Sequence, residues 1–215
     1  MNNKELARKY KRQTASRYLP VAAGEITSKI MEADFYSVYT KLDGHLYLLS
    51  YNGKDLELIN HGGNSIADLP ILNEALTILK ANCKEVLLAG ELYLHSESKR
   101  TRNFDLVAAL ANKSTHIKFA AFDIISFEGK DVNFDIKALN EKLSSLLAGG
   151  ISVHPVNCSI VESRTDILAL YENIVVKLNN EGLVIRSNNG PIYKLKPLIT
   201  LDAVILGYAE GEGVR

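Results

Sequence analysis

A lysine in a short polar segment is the residue of this sequence best suited to act as a nucleophile. Lys41 belongs to the segment Thr40-Lys41-Leu42-Asp43-Gly44, and strand-like apolar runs lie on both sides of it, at 35–39 and 46–49. An amine can attack an electrophile only in its uncharged form, so a reactive lysine needs neighbours that disfavour the ammonium. Taken alone, the segment is typical of a solvated surface turn, and its meaning depends on the polar groups that share its site.

Three other segments place charged residues in or beside apolar strands. Glu91 lies within LAGEL at 88–92, and Glu181 begins EGLVI at 181–185. A carboxylate flanked by glycine and aliphatic residues is poorly solvated, and when buried it needs a hydroxyl, a cation or a metal as partner. Lys194 and Lys196 alternate with Leu195, so both are predicted to face the same side of a strand, where two cations suit phosphate oxygens.

Two phenylalanines in the segment FAAFD at 119–123 are separated by an odd number of positions. Phe119 and Phe122 therefore cannot share one face of a regular strand. One ring is predicted to pack in the core, and the other could offer its face to a flat ligand. The alternative is that a bulge turns both rings into the core.

The elements that must position these residues mix helices with hairpins. Asn52-Gly53 predicts a tight hairpin turn within 46–60. Further strands are predicted at 86–95, 117–127, 182–187, 191–196 and 201–208, and helices at 69–79, 104–112, 136–146 and 163–177. Strands and helices do not alternate one for one, so we expect an α+β domain with antiparallel sheets rather than a doubly wound fold.

Composition narrows the class of protein without deciding its function. The chain has 215 residues, 47% of them hydrophobic, so it can bury a sizeable core. Its formal net charge is zero, so composition alone neither indicates nor excludes nucleic-acid binding. The basic segment 1–18 lacks the apolar region of a secretory signal, and no apolar run is long enough to span a membrane. We expect a cytoplasmic protein whose N-terminal segment is either a solvated helix or a contact with nucleic acid.

In their order along the chain, these segments resemble the motifs of the covalent nucleotidyltransferase superfamily of polynucleotide ligases and mRNA capping enzymes. Lys-x-Asp-Gly is a weak signal alone, but its combination with Gly-Glu, Phe-Asp, Glu-Gly-Leu-Val and Lys-x-Lys is specific. FAAFDIISFEG at 119–129 and DAVILGYAEGEGV at 202–214 look most like the adenylation domain of an ATP-dependent DNA ligase. The resemblance implies the nucleotidyltransferase (ATP-grasp-like) fold, an α+β fold with two antiparallel sheets flanked by helices.

The resemblance also implies a role for each motif residue. Lys41 would attack the α-phosphate of ATP and form lysyl-AMP, with Asp43 positioning the reaction centre. Glu91 would accept a hydrogen bond from the ribose, and Phe122 would stack on the adenine. The remaining nucleotide contacts would come from Thr40, Glu181, Lys194 and Lys196. Glu181 would also bind a divalent metal, Mg²⁺ or Mn²⁺, and the two lysines would contact the α-phosphate while disfavouring the charged form of Lys41.

The sequence departs from the family pattern at two positions that are commonly arginine. Leu46 stands two residues after the motif glycine, and His61 stands in the short motif after the first hairpin. Both arginines usually serve contacts near the ribose or the 5′-phosphate of a nick, so their absence bears on nick sensing more than on lysine charging. His61 could supply a weaker contact or be a turn residue. Arg100 and Arg102, ahead of a predicted helix, could bind phosphate or lie in a solvated loop.

Residues 1–200 are predicted to form the adenylation domain, and residues 201–215 the hinge, at Asp202, and the first strand of a truncated OB-fold domain. The expected partner is nicked duplex DNA or RNA, and we expect a monomer with no membrane contact. An RNA ligase or a guanylyltransferase on the same scaffold remains an alternative. So does a non-catalytic nucleic-acid-binding module, which the two lost arginines favour and the intact motif lysines and glutamates oppose.

Overall fold

The computed structural model describes residues 2–14, 17–97, 101–188 and 190–198. The described helices are α1 (Asn3–Gln13), a 3₁₀ turn (Ala23–Glu25), α2 (Ile26–Lys29), α3 (Ile71–Asn82), α4 (Asn103–Ala111), α5 (Ile136–Leu146), α6 (Arg164–Tyr171) and a π-helical segment (Glu172–Lys177). The described strands are β1 (Leu19–Val21), β2 (Tyr36–Lys41), β3 (His45–Tyr51), β4 (Leu56–Asn60), β5 (Ser65–Ile66), β6 (Val86–Leu94), β7 (Ile117–Phe127), β8 (Lys130–Asp131), β9 (Val153–Pro155), β10 (Cys158–Val161), β11 (Gly182–Ser187) and β12 (Tyr193–Leu195).

Within the described ranges the strands form two sheets. One runs β1-β12-β11-β2-β10, and the other runs β5-β4-β3-β6-β7-β8 with β9 added beside β7. The pairs are antiparallel, as predicted, except for one parallel pair in each sheet, β1 with β12 and β7 with β9. In each parallel pair, a long stretch of chain separates the two strands, and a sequence pattern of local hairpins does not reveal such a pairing. The architecture is the predicted α+β arrangement of two sheets flanked by helices.

Three apolar clusters hold the sheets and helices together. The largest joins one face of the second sheet to α3, α4 and α5, and includes the fully buried Leu88 and Leu106. A second joins the first sheet to α2, α6 and the π-helical segment. The third packs α1 onto the opposite face of the second sheet, with Ala7 and Tyr10 against Leu48. The second sheet is therefore covered on both faces, and its α1 face is also the face that carries the predicted site.

Most predicted elements lie where the sequence placed them. The hairpin at Asn52-Gly53 joins β3 to β4, and Gly53 adopts a φ of +89°. The helix predicted to end near position 177 begins after the Ser163 cap, whose Oγ accepts the Asp166 N–H, but its second half is π-helical. The strand predicted at 201–208, the hinge residue Asp202 and the OB-fold assignment of 201–215 all lie outside the described residues.

Candidate nucleotide-binding site

Three charged residues form an ion triad. Lys41 is the last residue of β2, Glu181 immediately precedes β11, and Lys196 immediately follows β12. Antiparallel pairing sets Gly182 opposite Lys41, so Glu181 lies next to the lysine. Lys41 Nζ donates to Glu181 Oε2 at 2.5 Å, and Lys196 Nζ donates to Oε1 at 2.6 Å. The Glu181 side chain is only 13% exposed. The sequence predicted cations beside Lys41, but the structure adds this carboxylate, and the amine must leave it to reach a phosphate.

A cavity of about 230 Å³ lies between the two sheets, with Lys41 in its wall. One wall comes from β2, β11 and the end of β12, and the other from β3, β6 and β7. The structure brings six of the sequence-predicted nucleotide-binding residues into this lining: Thr40, Lys41, Glu91, Phe122, Lys194 and Lys196. Lys194 and Lys196 both reach it because alternation along the strand sends them to the same side.

Glu91 is a half-buried carboxylate on β6 at the back of the cavity. Burial raises its pKa to about 7, and the charge of Glu181 adds to that rise, while Lys41 and the backbone N–H of Gly44 oppose it. A Cβ at Gly44 would lie 2.3 Å from the carbonyl oxygen of Leu92, so only glycine allows this close approach of the motif loop to β6. The arrangement gives a carboxyl group that can accept or donate a hydrogen bond near neutral pH.

A β-bulge decides the orientation of the two phenylalanines. Ala89 pairs with Asp123 and Gly90 with Ala121, which leaves Phe122 as the extra residue of β7. Phe119 is fully buried in the largest core cluster, whereas Phe122 is half-buried and lines the cavity. Of the two alternatives considered, the structure has one ring in the core and one at the site. Bulges commonly redirect a side chain next to a functional site.

A buried arginine and two tyrosines that the sequence patterns did not indicate belong to the same lining: Arg186, Tyr18 and Tyr39. Arg186 is 7% exposed, and its guanidinium lies 5.3 Å from the ring centre of Tyr39 and 5.9 Å from that of Phe122. Its Nη1 donates to the Phe122 carbonyl at 3.3 Å and its Nη2 to Tyr18 Oη at 3.4 Å. Its Nε has no partner among the described residues. Alternation from Gly182 through Val184 could have indicated Arg186, but no local signal points to Tyr18.

A second, wider cleft of about 760 Å³ lies on the other side of Lys41. Its lining includes Lys41, Asp43 and Glu181, together with the polar residues Ser159 and Asn180. No group of three metal-ligating side chains occurs within the ranges that the structure describes. Mg²⁺ is usually held by one or two carboxylates with water and substrate phosphates, so Glu181 and Asp43 fit a metal that arrives with a nucleotide.

Neither His61 nor Arg102, the two described residues predicted to contact nucleic acid, lines either cavity. His61 is exposed in the turn after β4, and the pKa of its imidazole is lowered by partial burial, with Lys11 and His45 adding to the effect. Arg102 is exposed at the start of α4, where its backbone N–H donates to Asp105 Oδ2 at 2.9 Å. Arg100 lies outside the described residues.

The fold has counterparts among known proteins. A family model described as ATP dependent DNA ligase domain matches residues 19–196, which include both walls of the cavity and all the motif residues. The chain belongs to the ATP-dependent DNA ligase domain family. It is a member of a family of nucleotidyltransferases, as the order of the sequence motifs predicted.

Individual relatives are distant and longer. The chain is 24% identical over 213 residues to a probable DNA ligase of Streptomyces avermitilis, covering 90% of this chain and 41% of that protein. The solved structure Pmar-Lig_PreS3 matches with a TM-score of 0.63 at 17% identity, over 90% of this chain and 51% of that one. A mycobacterial DNA ligase D complexed with ATP and MES matches with a TM-score of 0.57 at 16% identity, over 84% and 60%. The chain thus spans 41% to 60% of the length of these proteins.

Among the described helices, none combines the length and the apolar character that crossing a membrane requires.

Proposed function

We propose that this chain is the nucleotide-charging domain of an ATP-dependent DNA ligase and that Lys41 carries AMP as a covalent intermediate. The convergence of Lys41, Glu91, Phe122 and Lys194 on one cavity supports this most strongly, because these residues are far apart in sequence and each suits a different part of a nucleotide. A base fits against an aromatic ring, a ribose hydroxyl against a carboxyl group, and phosphate oxygens against lysines.

In the proposed reaction, Lys41 Nζ attacks the α-phosphorus of ATP. The nitrogen–phosphorus bond forms as the bond between that phosphorus and the pyrophosphate oxygen breaks. Before the attack, Lys41 would pass its proton through Glu181 Oε2, 2.5 Å from the nitrogen, to solvent, and the carboxylate would then be available to a cation. Lys194 and Lys196, on the same wall of the cavity, would meet the charge that develops on the α-phosphate oxygens.

A divalent cation, Mg²⁺ or Mn²⁺, would be held by Glu181, with Asp43 in the same cleft, and would neutralise phosphate charge. Glu181 in the described structure uses both carboxylate oxygens to bind lysines. A change of its partner to a cation would release Lys41 toward the nucleotide.

The charging step is tested by intact mass spectrometry after incubation with ATP and Mg²⁺. We expect one added AMP, mapped to Lys41, in the wild-type chain and in a Lys54→Ala control, in which an exposed hairpin lysine is removed. Lys41→Ala should remain unmodified. An adduct that persists in Lys41→Ala, or a wild-type chain that stays unmodified with either metal, would disprove the assignment. Competition between ATP and GTP decides between a ligase and a guanylyltransferase.

The second part of the proposal is that the AMP passes to the 5′-phosphate of nicked duplex DNA. A chain preloaded with AMP should lose the adduct when nicked DNA with a 5′-phosphate is added, and should keep it with intact duplex or with a nick that lacks the phosphate. Faster discharge on nicked RNA than on nicked DNA would favour the RNA ligase alternative. Duplex binding without any ATP binding would favour a non-catalytic module.

A further inference from the structure

The N-terminal helix α1 is fixed to the same face of the second sheet that carries the candidate site. Ala7 and Tyr10 are buried against Leu48. The Tyr10 hydroxyl donates to Asp123 Oδ2 at 2.6 Å near one end of the helix, and Asn3 Nδ2 donates to Ser50 Oγ at 2.7 Å near the other. The helix is therefore a docked element with a defined orientation, not a solvated tail.

One flank of α1 is basic. Residues at i, i+4 and i+7 lie on one side of a helix, and here these positions are the exposed residues Lys4, Arg8 and Lys11. We call this set the basic flank. No ion pair between described residues involves any of the three, so their charge is not neutralised within the part of the chain that the structure describes. The first 18 residues carry six basic side chains and one acidic one in a protein of zero net charge.

The basic flank contacts the turn that contains His61. Arg8 Nε donates to the Gly62 carbonyl at 2.8 Å. A Cβ at Gly63 would lie 2.9–3.2 Å from the Arg8 guanidinium, so the arginine packs directly on the turn. Lys11 is close enough to His61 to lower the pKa of the imidazole, after the larger effect of partial burial. The lysine, the arginine and the imidazole thus form one continuous surface, and its positive charge comes from the lysine and the arginine.

This surface lies beside the nucleotide cavity. Leu46 of β3 pairs with Glu91 of β6, and its neighbour Tyr47 pairs on the other side of β3 with Asn60, the residue before His61. His61 therefore directly follows β4, which lies two strands from β6, or about 10 Å at about 4.8 Å per strand. A ligand that leaves the cavity past Leu46 meets the basic surface.

We propose that the basic flank of α1, together with His61, binds the phosphates of a polynucleotide strand that approaches Lys41. Lys4 and Lys11 are seven residues apart, about 10 Å along the helix axis. That distance matches about three nucleotides of one strand, at about 3.4 Å of axial rise each, so the surface fits an extended strand better than a single phosphate. This inference rests on the proposed function and assigns to α1 a substrate contact of the same site.

The test compares two double variants that remove the same positive charge. Arg8→Gln/Lys11→Gln removes two members of the basic flank. Lys9→Gln/Lys54→Gln removes an exposed lysine from the other side of α1 and one from the distant hairpin turn. Affinity for nicked duplex DNA is measured by fluorescence anisotropy over a range of salt concentrations, and lysyl-AMP formation from ATP alone is measured by intact mass.

The flank variant should bind DNA at least about fivefold more weakly, and its slope of log affinity against log salt should fall by about 2, since each lost phosphate contact contributes about 0.9. The control should bind within about twofold of wild type with an unchanged slope. Both should form lysyl-AMP as wild type does, so failure of the charging step in all three proteins would count against the proposed function and not against this surface.

Equal DNA binding by the flank and control variants, or no DNA binding by the wild-type chain, would overturn the inference. Binding of the wild-type chain to anionic vesicles, lost in the flank variant while DNA binding is retained, would also overturn it. Lys11→Gln, measured against Lys9→Gln, keeps the comparison interpretable if loss of the Arg8 hydrogen bond to Gly62 destabilises α1.

Discussion

Glu181→Gln should destabilise the empty protein and yet strengthen its binding of polyphosphate in the absence of metal. The carboxylate neutralises two ammonium groups, with Nζ of Lys41 at 2.5 Å and Nζ of Lys196 at 2.6 Å. A glutamine keeps the shape of the side chain but carries no charge. Its amide nitrogen would face one of the ammonium groups, donor against donor.

The expected magnitude follows from how far each contact is shielded from water. The Lys41 and Glu181 side chains are 24% and 13% exposed, so their charge-assisted hydrogen bond should contribute about 2 kcal/mol. The Lys196 side chain is 47% exposed, and solvent screening reduces its share to about 0.5 kcal/mol. The free energy of unfolding should therefore fall by about 2–3 kcal/mol, which lowers the melting temperature of a chain of this size by about 5–10 °C.

The assay is urea unfolding followed by circular dichroism, at about 0.05 M and about 1 M salt. Glu25→Gln serves as the control, because Glu25 also pairs with a lysine, Lys29, at 2.8 Å but does so on the surface. We expect little change in the control and only a partial loss of the Glu181→Gln effect at high salt, because the buried contact is screened less. If the two variants unfold at the same urea concentration, the ion triad contributes nothing in solution.

Binding of pyrophosphate in the presence of a chelator tests the second part of the prediction, that Glu181→Gln binds polyphosphate more tightly than wild type. The wild-type protein must break the Lys41 contact with Glu181 before its amine can meet phosphate, whereas Glu181→Gln presents both lysines unpaired. If the variant avoids about 1.4 kcal/mol of the cost of breaking this contact, it should bind pyrophosphate about tenfold more tightly. With Mg²⁺ the order should reverse, because Glu181 is the proposed metal ligand. Equal affinities under chelation would refute the competition between Glu181 and phosphate.

Three further substitutions test the remaining parts of the site. Phe122→Leu should weaken ATP binding, measured by calorimetry, by about 5- to 100-fold through loss of stacking, whereas Phe127→Leu on the same strand should not; equal affinities would argue against the stacking role. Glu91, whose carboxyl pKa burial raises to about 7, keeps a proton when folded that it loses when unfolded, so the unfolding free energy should fall as pH rises from about 4.5 to about 7. Glu91→Gln should remove this fall, at most about 3 kcal/mol, and identical pH profiles would contradict it. Tyr10→Phe should lower stability by about 1–2 kcal/mol through loss of the hydrogen bond to Asp123, and unchanged urea unfolding would show that this contact does not anchor α1.

Much of the site could be predicted from sequence because its signals are local. Asn52-Gly53 fixes a hairpin, and alternation about Leu195 sends Lys194 and Lys196 to one side, since both depend only on neighbouring residues. A glutamate such as Glu91 within an apolar strand predicts burial for the same reason. The structure places Glu91, Lys194 and Lys196 around one cavity, and their catalytic roles remain predictions.

Other features depend on which distant segments pair, and local patterns do not encode that. The contact of Glu181 with Lys41 joins residues 140 positions apart and exists because β11 pairs with β2. Arg186 reaches the cavity through the same pairing, and Phe122 reaches it because the register between β6 and β7 shifts at a bulge. For the N-terminal segment the sequence allowed either a solvated helix or a contact with nucleic acid. In the structure this helix packs on the second sheet, and the Tyr10 hydroxyl donates to Asp123 on β7.

The sequence by itself determined that Lys41 belongs to an ordered set of motifs and that these motifs lie on strands of an α+β domain. Only the tertiary structure decided that Lys41 rests against Glu181, that an arginine and two tyrosines complete the cavity, and that a basic helix flanks it. The physical reason is that residue type and short-range alternation fix which way a side chain points. Which other side chains it meets is fixed by strand pairing, bulges and helix docking, whose energies come from burial summed over the whole chain.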